Sequence, residues 1–447
     1  MVTFDNVLDE TVNGVCRWKR KGILREATII RDVYGKIALL LDNTAAVSDE
    51  DSQELETCLD QAIGPFFGGH VYYKKQSHNK RNIETRIQPI VDIIETEREM
   101  WREEEGIAFF VSERPIAKKA WIKTSAKQES VWPYEEAIED GGTKVVAFYS
   151  FKGGMGRTTA LAAAAINLVR QGKNVMMVDM DIESPGLATL FFPENRIERG
   201  VLDYLLESEI ADNTDIHDYV LDVTEPALIE ENYGMLYLMP AGKVNEQYLQ
   251  KLARIDYQDN RENHLRTSVG TMLKRLRDGY GVDYLLIDAR AGFHDLGGVA
   301  VSQLPHGSVL FGNSSRQSWD GIRQVLRSIA KSHASDFPVM LVDSRCDKPT
   351  SPYFAEAKKA FIGASYTVFL DCFYDNEESV PGIDSEESAH YPEFIYSSDD
   401  LLRGVELYSD GSPEKDDLVT AYRQCLTEEC YRKLTARIEG WFGENES

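Results

Sequence analysis

Residues Val145 to Asp181, VVAFYSFKGGMGRTTALAAAAINLVRQGKNVMMVDMD, confine this chain to few folds. An apolar strand, Val145 to Phe151, enters a glycine-rich loop, Lys152-Gly153-Gly154-Met155-Gly156-Arg157-Thr158, and that loop opens an alanine-rich helix. A second apolar strand, Val175 to Asp179, follows and ends in acidic residues. Together these parts make an anion site. Backbone N–H groups turn inward, the helix dipole adds positive potential, and glycines let a phosphate come close. The strict phosphate-loop pattern G-x-x-x-x-G-K-[ST] is kept only in part. Its first glycine position holds Phe151 or Lys152, depending on alignment, and its final lysine is Arg157.

The alternation continues downstream. GMLYLMPAG, DYLLIDA (Asp283 to Ala289), SVLFGNS, PVMLVDS and YTVFLDC read as strands, with helices around RTSVGTMLKRLRDGY and from Ser315 to Ser332. Such a series calls for an α/β fold, a mostly parallel doubly wound sheet with helices on both faces. Two acidic stretches, about 193–233 and 375–417, read as insertions or lids on the phosphate-binding face.

At 447 residues the chain exceeds one compact core. Residues 1–130 read as a smaller α+β N-terminal domain. EATIIRDVYGKIALLLD is a hairpin about Tyr34-Gly35, and SDEDSQELETCLDQAIG is a serine-capped helix with Leu55, Leu59 and Ile63 at helical spacing. HVYYKK, IETRIQPIVDII and GIAFFVSE are further strand candidates. His70 and His78 read as surface or packing residues, and no catalytic constellation is legible in this domain. Residues 131–143 close a polar stretch that begins at Ala126 and form a linker, which leaves 144–447 for the second domain.

Several side chains there carry chemistry. The Thr158 hydroxyl suits Mg²⁺ ligation while its backbone N–H faces a phosphate, and a helix-capping role is compatible with both. Gly153, Gly154, Met155, Gly156 and Thr159 complete the loop. Arg157 keeps a positive charge but has a wider, bidentate head than lysine; it is expected to grip phosphate oxygens and to slow turnover. Asp288 ends an apolar strand as the second half of a metal site, and Gly292 offers a backbone N–H to a terminal phosphate. Asp179 and Asp181 suit support of the metal shell and orientation of an attacking water.

KGGMGRTTALAAAAINL, VDMDIESPGL, LYLMPAG and DYLLIDARAG, within about 142–447, resemble the ParA/MinD-type ATPases of the SIMIBI class of P-loop NTPases. More narrowly they resemble a bacterial branch whose loop reads K-G-G-x-G-R-T, with D-x-D-x-E-x-P-G after the second strand. The resemblance implies a cytoplasmic ATPase with ATP and Mg²⁺ as cofactors, working as an ATP-dependent homodimer switch. It implies that Lys152 crosses the dimer interface to the partner's nucleotide and that Asp181 orients the hydrolytic water. Thr158, Asp179 and Asp288 serve the metal. The resemblance implies slow, partner-stimulated turnover, because family members commonly need stimulation, and Arg157 in place of the usual lysine is expected to lower turnover further. Ala289 and Arg290 depart from the related D-S-P-A-G, while Asp288 and Gly292 are kept. Base-recognition positions do not align, and Arg345 and Asp347 in VDSRCDK are candidates at the right strand end. The branch occurs in multi-gene bacterial systems, including stress and phage-defence contexts, which implies a protein partner or effector encoded nearby. A nucleotide-binding module with little turnover is the alternative, and a partition-type ATPase or phosphotransferase the second alternative.

Composition narrows the partners. A formal charge of −25 opposes broad attraction to nucleic acid or anionic lipid. Lys74, Lys75, Lys80, Arg81 and Arg86 form a basic cluster that reads as a solvated loop or, alternatively, as a contact surface for nucleic acid or an acidic partner. No run approaches the roughly 18 apolar residues that span a bilayer, and the first residues lack the pattern of a secretory signal. The C-terminal helical stretch is expected to pack Leu418, Tyr422, Cys425, Leu426 and Ile438 on the domain rather than to bind a membrane. Six cysteines without a C-x-x-C pair oppose structural zinc and disulfides and favour a reducing compartment.

Overall fold

The hairpin expected about Tyr34 and Gly35 forms from β1 (Leu24–Arg31) and β2 (Ile37–Asn43), antiparallel with Arg31 opposite Ile37. Asp32 closes its turn. The carboxylate accepts the N–H groups of Tyr34 at 2.9 Å and Lys36 at 2.7 Å, and Gly35 takes φ +82°. The computed structural model describes all residues except 1, 75–83, 116–117, 119–120, 122–141, 212–213, 231, 259–263, 333–336, 375–379 and 444–447. They fall into two units, Met1–Ile116 and Ala117–Ser447.

In the first unit β3 (Phe67–Tyr73) runs parallel to β2, and β4 (Glu99–Glu104) pairs antiparallel with β5 (Ile107–Glu113), giving the order β3-β2-β1-β5-β4. Helices Val7–Arg17 and Asp49–Ile63 cover one face, packing Val12, Val15, Trp18, Leu55 and Leu59 on Ile29, Leu39, Leu41 and Phe109. Ser48 caps the second helix, accepting the Asp51 N–H at 3.1 Å. Residues 84–97 form a helix instead of the strand expected from IETRIQPIVDII. Ile87, Ile90, Val91 and Ile94 stand at helical spacing in the sequence, and Pro89 opposes a central strand. Ile94 packs with Ile30 and Leu40, on the opposite face of the sheet. Lys74 pairs with Asp42 at 3.6 Å and with Glu95. The side chains of Lys75, His78, Lys80, Arg81 and Arg86 lie outside the described residues.

The second unit holds β6 (Lys144–Ser150), β7 (Val175–Met180), β8 (Leu221–Asp222), β9 (Leu236–Met239), β10 (Tyr284–Ala289), β11 (Gly307–Gly312), β12 (Val339–Cys346) and β13 (Glu393–Tyr396). Their order is β13-β12-β11-β6-β10-β7-β9-β8, parallel throughout except for the β8–β9 pair. Every residue of β6, β7, β10 and β11 is buried, as helices on both faces require. Val145, Ala147 and Tyr149 enter one core, while Val146 and Phe148 enter the other beside the alanines of helix Arg157–Arg170.

YTVFLDC, expected as a strand, is the end of helix Phe354–Cys372. Phe361, Ser365, Val368 and Phe369 are its buried stripe, a helical spacing that a short apolar run conceals. The two acidic stretches contribute the edge strands β8 and β13. The C-terminal helices Pro413–Leu426 and Glu429–Gly440 bury Tyr422, Leu426 and Ile438, whereas Leu418 is exposed, against expectation. No helix among the described residues is long and apolar enough to cross a membrane.

Candidate functional site

The site lies where β6 and its neighbours end. Ser150 Oγ donates to the Lys152 carbonyl at 2.7 Å and turns the chain out of β6. Gly154 and Gly156 then take φ of +73° and +72°, left-handed backbone that a side chain disfavours. Gly156 caps helix Arg157–Arg170, whose first backbone bond runs from Ala160 N to Gly156 O at 2.9 Å. The N–H groups of Arg157, Thr158 and Thr159 therefore have no intrahelical acceptor. A Cβ built at Gly153 or Gly154 would meet open space, so the loop presents backbone without obstruction.

Register brings the acids to this loop. β10 sets Asp288 opposite Asp179 of β7 and Phe148 of β6. Thr158 Oγ1 donates to Asp288 Oδ2 at 2.7 Å. A hydroxyl and a carboxylate at a helix N-terminus are oxygen donors suited to Mg²⁺, and the open loop suits phosphates, so these residues fit both expected cofactors. Among the described residues no group of three or more His, Cys, Asp or Glu could hold a metal unaided.

Arg157 is turned beneath the loop. Its Nε donates to Asp288 Oδ1 and its Nη2 to Asp181 Oδ2 at 2.9 Å. The side chains of Arg157, Asp181 and Asp288 are 8%, 10% and 1% exposed, so this ion triad is buried. Burial works against the Arg157 charge, but Asp288 and Asp181 outweigh it and raise its pKa. Burial likewise pushes the Asp288 carboxyl up, opposed by Arg157 and Thr158. Asp179 anchors a turn, accepting the N–H groups of Asp181 (3.1 Å), Gly186 (3.2 Å) and Leu187 (3.1 Å). Burial, then Asp288 and Asp181, push its pKa up to about 8.

The opposite side of the loop is gripped by β12. Arg345, at φ +58°, donates Nη1 to the Gly154 carbonyl at 2.9 Å, and Ser344 Oγ donates to Met155 O. Lys152 Nζ donates to Ser315 Oγ at 3.1 Å. Asp347 bonds Ser351 at 3.4 Å and does not join the loop.

After β10 the chain is held by groups that sequence reasoning missed. The Tyr149 hydroxyl donates to the Gly292 carbonyl at 3.2 Å, and Trp121 Nε1 donates to the His294 carbonyl at 2.7 Å. Trp121 also meets Phe293 and Tyr149, at ring distances of 5.3 and 5.7 Å. Arg290 pairs with Glu183 and lies 2.8 Å from His294 Nδ1, whose pKa burial and Arg290 lower to about 4. Glu183 stands in the D-x-D-x-E-x-P-G segment, and Arg290 is, with Ala289, where DYLLIDARAG differs from the D-S-P-A-G pattern. Those positions were a usable signal for the pair; nothing in the sequence marks Trp121 or Ser344.

Residues 143–335 match a family model described as an AAA domain. The chain is 27% identical over 180 residues to a protein named as septum site-determining MinD of Oltmannsiellopsis viridis, covering 40% of this chain and 48% of that one. It is 27% identical over 150 residues to an uncharacterized ATP-binding protein of Methanocaldococcus jannaschii, covering 34% and 46%. The chain thus spans about half the length of the curated relatives it matches. Among solved structures it is similar to pNOB8 ParA (16% identity, TM-score 0.46, 67% of this chain and 99% of that one). It is also similar to a ParA family ATPase from Chlorobium tepidum (15%, TM-score 0.43, 66% and 99%). TM-scores below 0.5 leave the assignment resting on the sequence matches. The sequence matches over residues 143–335 support a P-loop domain similar to those of the ParA/MinD type.

Proposed function

We propose that the second unit binds ATP with Mg²⁺, hydrolyses it slowly, and uses the nucleotide to switch between monomer and homodimer, so regulating a protein partner. The observation that carries this reading is the 2.7 Å contact of Thr158 with Asp288 at the N-terminus of a glycine-loop helix. Backbone N–H groups from Gly153 to Thr159 hold the phosphates, and Gly292 meets the terminal one. Thr158 and Asp288 hold Mg²⁺, with Asp179 supporting them from the neighbouring strand. The metal, when bound, neutralises phosphate charge. Asp181 orients the water, Arg345 is the candidate for contact with the base, and Lys152 reaches the partner's phosphates across a two-fold interface. The last assignment follows from charge, because a closed interface around two triphosphates needs more cations than one subunit's loop supplies.

A second reading, a nucleotide-binding module with little turnover, is favoured by one observation: Asp181 is already engaged by Arg157. Labelled ATP, bound and then chromatographed after incubation, separates the two. Recovered ADP supports the ATPase, intact ATP supports the module, and no bound nucleotide sinks both. Light scattering tests the switch: ATP should give a dimer in an Asp181→Ala background, and Lys152→Ala should abolish it. We place the protein in the cytoplasm, in a multi-gene bacterial system of the stress or phage-defence kind. An adjacent nuclease or protease gene supports that setting, whereas a centromere-binding partner would move it to partition. The charge of −25 counts against nucleic acid as the main partner.

A further inference from the structure

A lysine at the end of a phosphate loop presents one compact charge. Arg157 does something different here. Two donors of its planar head, Nε and Nη2, are each taken by a different buried carboxylate, Asp288 and Asp181. Those acids come from different strands, and no other side-chain cation is bonded to either among the described residues. Burying two carboxylates this deeply is costly unless they are paired, so the charge of Arg157 is largely spent on them. Lys152 is in the opposite situation. It bonds the neutral Ser315 hydroxyl and pairs with no carboxylate among the described residues.

We infer that Arg157 is a positioning residue that braces Asp181 and Asp288 against each other, and that it does not serve as the phosphate-gripping cation of the loop. This rests on the ATPase reading above and deepens it. A guanidinium fork can span two carboxylates at fixed angles, whereas an ammonium is a single point that cannot keep both in place. Restoring the lysine usual in such loops should therefore harm this protein. Its Asp181 would lose orientation while the backbone cradle, which contacts phosphates without Arg157, kept the nucleotide.

The test compares the full-length wild type with Arg157→Lys, measuring kcat, ATP affinity and thermal melting. The brace predicts kcat lowered about tenfold or more, ATP affinity within about threefold, and little change in melting. In an Asp181→Asn background, Arg157→Lys should cost almost nothing further, because its partner is already altered. Turnover equal to or faster than wild type, or ATP affinity falling as far as kcat, would overturn the brace and leave the ATPase reading intact. Should Arg157→Lys melt far below wild type, Arg157→Gln decides by affinity alone. A change within about threefold supports the brace, and a loss of about thirtyfold or more overturns it. A wild type that binds no ATP removes brace and ATPase reading together.

Discussion

The carboxyl of Asp343, on β12, makes no hydrogen bond or ion pair among the described residues and is buried, which pushes it from 3.8 up to about 7. A carboxyl raised on folding adds stability that is complete below its unfolded pKa and is lost as pH rises through the folded one. The span corresponds to roughly 4 kcal/mol at most. Asp343→Asn should flatten the fall in urea midpoint between pH 5 and 8 and make the variant the more stable protein at pH 8; a parallel fall in both proteins would refute this. Thr158→Ala removes the donor to Asp288 and should lower ATP affinity in Mg²⁺ by about tenfold, toward the affinity without metal, at unchanged melting temperature. Thr158 and Asp288 were legible because loop spacing and a strand end name them directly, whereas nothing in the sequence singles out Asp343. The direction of Arg157 was not legible either. Spacing tells which residue follows the glycines, but where a long flexible side chain lies depends on charges that arrive from Asp181 and Asp288, 24 and 131 positions away.

Elements were legible in proportion to their periodicity. The continuous apolar strands β6, β7 and β10 could belong only to a sheet covered on both faces. IETRIQPIVDII and YTVFLDC misled because each is apolar enough for a strand, and the helical stripe appears only when a longer window is counted. Helix Arg316–Ser332 shows how an element reaches the site without donating a ligand. A methyl at Gly321 would stand 2.2 Å from Phe151 Cγ, and Phe151 immediately precedes Lys152. Gly321→Ala should thus cost about 1–3 kcal/mol in urea denaturation and weaken ATP binding, because the displaced ring drags the loop. Normal stability with normal ATP affinity would show that this packing yields at no cost. Phe151 also meets Phe293 at 5.0 Å, so the strain should extend toward Gly292.

Among the described residues three large hydrophobic interiors are built separately, one around Trp18, Leu39 and Phe109, and two on the faces of the eight-stranded sheet. Calorimetry should resolve two unfolding transitions, with Mg²⁺-ATP raising only the larger, since a ligand stabilises only the unit that binds it. A single transition shifted as a whole would contradict this. The sheet orders carry one more consequence. In the larger sheet the outermost strands, β8 and β13, have only two and four residues. In the smaller one β4 is studded with Glu99, Arg102, Glu103 and Glu104, while β3 loses register at Gly68–Gly69. Rims this short, charged or broken make poor templates for an incoming strand. Fibre-like stacking of copies is thereby discouraged, and molecules of this chain that associate must do so through loops and side chains.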